Sequence, residues 1–261
     1  MERFEVAGVA VCDSDYSEAL ELFRADIEEK KHSFAVFLEA NLLYSLRTIS
    51  GLDKTLNRAG YIFPDGTAVV KAVTMRHGRN IERMPGPTFI LKACDFGRQY
   101  HWRHYFYGGV PGTAEKLAEK LSSLYPGLEV AGCFSPPFRR VVDGRVEIDP
   151  GEDAAEMKMI NDAKPDFVWV GLGGPKQEYW MCAHLNKIAA PLMMGVGAAF
   201  DFHSGARPWA PRWIRAVGME WLFRMFSGGR ATFRRNLKCV ASSAWLLIGY
   251  FVKYKILRRH Q

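Results

Sequence analysis

No two of the five cysteines stand in a CxxC pair; Cys12, Cys94, Cys133, Cys182 and Cys239 are odd in number and scattered. That excludes a zinc ribbon and a disulfide framework, and it fits reduced thiols in the cytosol. Also missing is a run of about 20 apolar residues, the length a spanning helix needs. Met1 to Val11 has mixed charge and no cleavage-like continuation, so no secretory signal is expected. What the chain does have is 261 residues of which 48% are apolar. That is enough to bury a full core, so disorder is not the default.

The charge is uneven. From Arg207 to the end there are 12 Lys+Arg against one acid, Glu220, whereas residues 1–206 hold 23 Lys+Arg and 27 Asp+Glu. The net charge of +7 therefore comes from the last fifth of the chain, and such asymmetry calls for an anionic partner. Within that tail, Cys239 to Val252 is a largely apolar run of 14 residues, flanked by Arg234, Arg235 and Lys238 before and Lys253, Lys255, Arg258 and Arg259 after. It is too short to span a bilayer and suits an interfacial helix, with Trp245, Tyr250 and Phe251 at the headgroups and the basic residues on anionic lipid. A nucleic acid partner is not expected, since an apolar segment has no role in a phosphate stripe. The alternatives are a helix packed on the domain and a tilted or re-entrant span.

Before the tail, apolar runs alternate with helical periodicity. Strands are expected over 4–11, 33–38, 104–107, 128–134, 166–172 and 191–196, with another ending at Pro64. Helices are expected after Asp15, from Asn41 to about Ala59, over 114–125 and over 154–163. This is an α/β chain with a mostly parallel, Rossmann-like sheet covered by helices on both faces. The domain division expected is a catalytic unit over 1–206 and a basic, aromatic, helical, membrane-docking appendage over 207–261.

Polar residues gather where strands end, the place where open α/β sheets bind ligands. Pro64 and Gly66 stop a strand and leave Asp65 at its carboxyl end. Arg83 lies in a basic loop with Gly86, suited to an acidic substrate. Gly108, Gly109 and Thr113 form a glycine-rich turn that could aim N–H groups at a phosphate. It does not match GxGxxG, and the next strand ends without a ribose-binding acid, which counts against a dinucleotide. Gly171 and Gly173 let a ligand approach the backbone; Pro175 opens a helix whose first turn offers Lys176, Gln177 and Glu178. Asp201 lies beside a further glycine. Asp13-Ser14-Asp15 could hold a metal on a nucleotide-sugar diphosphate, but Ser14 and Asp15 also precede a helical pattern as good caps. His101 and His104 have no evident third ligand, and no metal site is assigned.

Asn41, Pro64-Asp65-Gly66, Arg83 with Gly86, Val170-Gly171-Leu172-Gly173 with Pro175-Lys176-Gln177-Glu178, and Phe200-Asp201-Phe202 followed by Gly218-Met219-Glu220-Trp221-Leu222 together resemble the WecG/TagA/CpsF family, glycosyltransferase family 26. The similarity runs in order from about Val6 to Leu237. It implies an inverting transfer, without a metal or other cofactor, from a UDP-sugar to a polyprenyl-diphosphate-linked sugar at the inner face of the cytoplasmic membrane. By the same resemblance Asp65 falls on the position of the catalytic base, Asn41 and Gln177 on active-site polar positions, and Arg83 on one important for activity. The family's C-terminal appendage docks on the membrane and helps complete the site with arginines, for which Arg215 and Arg224 are the candidates. Glu39 stands where the family usually has Thr, Thr88 where it has an acid, and Trp209-Ala210-Pro211 where it has Arg-Ala-Pro. These departures surround the sugar pockets, so the resemblance leaves glucose, N-acetylmannosamine and related sugars open. An NAD-dependent oxidoreductase and a non-catalytic membrane scaffold are the other readings, and a homo-oligomer stays open.

Overall fold

The computed structural model describes residues 1–227 and 229–256; the side chains of 224, 227, 229–231 and 255 lie outside that description. Arg258 and Arg259 also fall outside the described residues. The chain opens with an antiparallel hairpin, β1 (Glu2–Val6) and β2 (Val9–Asp13). The single strand expected over 4–11 is thus folded in half. Ala7 and Gly8, both at positive φ (52° and 86°), form the two-residue turn that does it. Asp15 caps α1 (Tyr16–Glu28), its carboxylate accepting from Glu18 N–H at 2.8 Å.

Next come β3 (Ser33–Leu38), α2 (Ala40–Thr48), α3 (Leu52–Leu56), β4 (Tyr61–Pro64), α4 (Thr67–His77) and α5 (Gly86–Gly97). The one helix expected from Asn41 to about Ala59 is two, because Ile49 turns extended and Gly51 adopts φ 79° between them. Then follow β5 (Arg103–Gly108), α6 (Thr113–Leu124) and β6 (Glu129–Phe134), a small hairpin of β7 (Val141–Val142) and β8 (Arg145–Val146), and α7 (Pro150–Asp162). The α/β part closes with β9 (Phe167–Gly171), α8 (Lys176–His184), β10 (Leu192–Gly195) and α9 (Ala199–Ser204).

Six strands form one parallel sheet in the order β4-β3-β10-β9-β5-β6. Side chains alternate between its faces, so each strand feeds two cores. On one face Val36, Ile62, Tyr107 and Val170 meet Leu42, Leu43, Val69 and Trp180 of α2, α4 and α8. On the other, Phe37, Phe63, Phe106 and Trp169 meet Phe23, Phe89, Leu117 and Phe200 of α1, α5, α6 and α9. His104 is buried there with its Nδ1 accepting from Trp169 Nε1 at 3.0 Å, a core histidine that burial holds down at about 3.

Among the described residues only helices follow: α10 (Arg212–Ala216), α11 (Glu220–Ser227) and α12 (Gly229–Phe251), which ends in a π-helical turn, Val252–Ile256. The helix expected over 239–252 is thus the second half of a longer one. It lies across α2 and α4. Arg47 Nη1 donates to Ser242 O at 2.9 Å, and Tyr250 Oη accepts from Ala7 N–H at 3.1 Å. Among the described residues no helix is long and apolar enough to cross a membrane.

Candidate active site

All six strands of the parallel sheet end on one edge, so their loops share a rim. β9 is followed by β10 on one side of it, and β5 by β6 on the other, so the loops after β5 and β9 part and leave a crevice between them. The backbones beneath that crevice touch. A Cβ on Gly108, which sits at φ 137°, would lie 2.6 Å from the Gly171 carbonyl carbon, and Gly109 N–H bonds Gly171 O at 3.1 Å. Thr113 is buried and gives its own N–H to Val110 O. The N–H groups of Gly109 and Thr113 are therefore spent inside the protein, and these residues shape the strand ends.

Gln177 is similarly committed. Its Nε2 donates to Gly195 O and to Glu178 Oε1, both at 2.9 Å, and its Oε1 accepts from Gly173 N–H at 3.2 Å. One amide thus ties the ends of β9 and β10 together. Glu178 beside it is buried, and Oε2 has no hydrogen-bond partner among the described residues. Burial first, with a smaller push from the negative charge of Glu39, raises its carboxyl to about 7. Pro175 follows a cis peptide bond and precedes Lys176, whose ammonium lies 4.1 Å from the Phe138 ring centroid and is pushed down by burial. A cleft of about 920 Å³ runs between Ser50–Gly51, Asp143–Gly144 and the Leu172–Lys176 turn, with Arg235 of the tail on its wall.

The ends of β3 and β4 make the second cluster. Asp65 N–H and Gly66 N–H both donate to Leu38 O, at 3.1 and 3.0 Å. A Cβ on Gly66 would come within 3.3 Å of Glu39 Cα, so these two strand ends abut. Asp65 Oδ2 accepts from Gly86 N–H at 3.4 Å, which sets the carboxylate at the start of α5. Glu39 caps α2 through Asn41 N–H and Leu42 N–H. Asn41 Oδ1 faces Cys239 Sγ at 3.7 Å, a contact between the site and α12. Arg83 Nη2 donates to Glu220 Oε1 at 3.1 Å.

The tail contributes more. Arg215 stacks its guanidinium 3.6 Å from the Trp209 ring centroid; burial pushes it down, while Glu220 opposes that shift. Asp201 stands apart from this cluster, paired with Arg207 at 3.3 Å. The side chain of Arg224 lies outside the described residues. Sequence reasoning missed three residues here. Tyr16, close enough to Asp65 to feel its charge, is pushed up chiefly by burial. Phe138 is exposed beside Lys176. Glu220 was visible as the lone acid of the tail and within the Gly218–Leu222 motif, but without a role. Among the described residues no three His, Cys, Asp or Glu side chains gather as a metal-ligand set.

A doubly wound sheet with carboxylates, arginines and a lysine collected at its strand ends defines a class of α/β proteins that bind anionic ligands at that edge. A sequence model of the glycosyl transferase WecG/TagA/CpsF family matches residues 4–258, and the chain belongs to that family. It is 27% identical over 231 residues to an N-acetylglucosaminyldiphosphoundecaprenol N-acetyl-β-D-mannosaminyltransferase of Staphylococcus aureus strain NCTC 8325, covering 85% of this chain and 86% of that relative. The counterpart from strain COL matches equally.

Proposed function

We propose that this glycosyltransferase moves a hexose or N-acetylhexosamine, such as glucose or N-acetylmannosamine, from a UDP-sugar to a polyprenyl-diphosphate-linked sugar. The transfer inverts the anomeric configuration, needs no metal, and builds an exopolysaccharide, teichoic acid or surface antigen. The enzyme works as a peripheral protein on the inner face of the cytoplasmic membrane. The observation that carries this reading is the position of Asp65: a carboxylate at the end of β4, facing the start of α5, in the same strand-end cluster as Arg83.

In the proposed reaction the acceptor hydroxyl gives its proton to Asp65 as it attacks the anomeric carbon opposite UDP. The departing diphosphate gains negative charge, which Arg83, Lys176 and Arg215 are chemically suited to meet. Gln177 and Glu178 hold the turn that carries Lys176. Asn41 and Glu39 line the neighbouring strand end. The staphylococcal relatives act, by their names, on a sugar-diphosphate-undecaprenol, which favours an acceptor of the same chemical kind.

The test is a panel of UDP-sugars with a prenyl-diphosphate-sugar acceptor in detergent, run with and without EDTA. Transfer from at least one donor, unchanged by the chelator, is expected; none from any donor sinks the reading. Asp65→Asn should lower turnover by about a hundredfold or more while UDP still binds. Near-normal turnover in that variant would remove Asp65 as the base.

A further inference from the structure

The tail carries one acid, Glu220. Its carboxylate is not a solvated surface group, although the tail's Arg215 lies close enough to feel its charge. It is nearly buried, with 9% of the side chain exposed, and it accepts from Arg83, a residue 137 positions earlier in the chain. The segment leading into α11 is seated as closely. Gly218, at φ 70°, lies against the first residue of α4: a Cβ there would come 2.4 Å from Thr67 Cγ2 and 3.4 Å from Arg83 Nη1. Thr67 follows Asp65 and Gly66 directly, so the turn between α10 and α11 closes over the start of the helix that the Asp65 turn opens. That turn is itself pinned by Gly218 N–H to Arg215 O and Met219 N–H to Ile214 O, both at 3.0 Å.

Arg83 presents five N–H donors in a planar fork. The tail occupies Nη2 and packs against Nη1, which restricts the rotation of a side chain that would otherwise sample many rotamers. A partly desolvated ion pair of this sort adds little stability, but it fixes geometry, and loss of one partner strands the other.

We propose that Glu220 is a positioning residue: from α11 it holds the Arg83 guanidinium so that the remaining N–H edge meets the negative charge of the departing diphosphate. The site is then complete only when the tail is seated, and the tail contributes an anion as well as its arginines. The inference rests on the transferase reading above.

A double-mutant cycle separates this role from a merely structural one. Steady-state transfer is measured for wild type, Glu220→Gln, Arg83→Ala and the double variant, with the best donor from the panel. Glu220→Gln is expected to lower kcat by about tenfold or more, since it removes the charge that fixes the guanidinium and leaves only a weaker, neutral acceptor, with little change in the acceptor KM. The double variant should be no slower than Arg83→Ala alone, and Glu220→Asp should recover part of the loss. Losses that multiply independently, or a Glu220→Gln variant at the wild-type level, would overturn the proposal. Circular dichroism checks that each variant folds. If Glu220→Gln does not, Arg83→Lys with Glu220→Asp gives the same cycle, because Lys keeps the charge without the fork, and independent losses again overturn it. Absence of transfer by the wild type would count against the transferase reading instead.

Discussion

Glu178 illustrates what burial does to one carboxyl. Among the described residues its only hydrogen bond between side chains comes from Gln177 Nε2, its neighbour Glu39 is also acidic, and burial raises it to about 7. Below the ordinary carboxylate value of about 4.5 it is protonated whether the chain is folded or not, and pH changes nothing. From there to about 7 the unfolded chain ionises first, so stability drains as pH rises. Above that, the folded protein carries an ionised, enclosed carboxylate at a cost on the order of 3 kcal/mol. Glu178→Gln keeps an acceptor for Gln177 and removes the charge. Melting temperatures at pH 5 and pH 8 should therefore fall more with pH in the wild type than in the variant. Parallel changes would show that Glu178 does not ionise in this range. None of this was legible in the sequence, where Gln177 and Glu178 read as polar groups that a first helical turn offers to a ligand. A residue type and its place in a first helical turn do not reveal that both amide hydrogens of Gln177 are already taken.

At the scale of elements, glycines at the strand ends do two different jobs. A Cβ on Gly171 would fall 2.6 Å from Phe200 Cγ, inside a packed aromatic contact, whereas one on Gly173 would meet nothing within 4 Å and suffers only from its φ of 79°. Gly171→Ala should therefore destabilise by about 1–3 kcal/mol through overpacking. Gly173→Ala should cost about 1–2 kcal/mol through backbone strain while leaving the core intact. Thermal unfolding with near-UV circular dichroism distinguishes them: a disturbed aromatic signal is expected for the first variant and a native one for the second. Five of the six strands of the parallel sheet were readable as buried apolar runs, and β6, only half-buried, by the alternation of strands with helices around it. The hairpin of β1 and β2 and the break between α2 and α3 were not. Ala7 and Gly8 make a turn without a strong turn signature, and Leu52 and Leu56 continue the helical spacing of Leu42, Leu43 and Leu46 across the gap. Hydrophobic period records which face is buried, but not a change in φ at Ile49 and Gly51.

For the whole molecule, the informative feature is the contrast between a slightly acidic sheet domain and a tail holding 12 basic residues against one acid. The count was legible from the start; where the acid goes, and which face of α12 stays open, needed the fold. Cys239 and Ser243 turn inward toward the site and α2, and Trp245, Ile248, Phe251 and Val252 remain exposed on the same helix. Trp213 and Phe226 add apolar surface on α10 and α11, with 72% and 74% exposed. Large apolar side chains left open beside lysines and arginines suit a lipid interface, where the rings enter the headgroup layer and the cations meet anionic lipid. Two terms then act together, and salt separates them. The Debye length shrinks from about 10 Å at 0.1 M to about 3 Å at 1 M, so the electrostatic part should fade with salt while the apolar part persists. The full chain should sediment with phosphatidylglycerol-containing vesicles at low salt, and less so as salt rises. Trp245→Glu with Ile248→Glu should weaken sedimentation at every salt concentration, since it removes the apolar term and adds two negative charges. Equal binding to neutral phosphatidylcholine vesicles would reject the electrostatic term, and no binding to either would reject membrane docking. In the second case the open face of α12 would need another partner, while the Glu220–Arg83 contact, made within the chain, would keep its role.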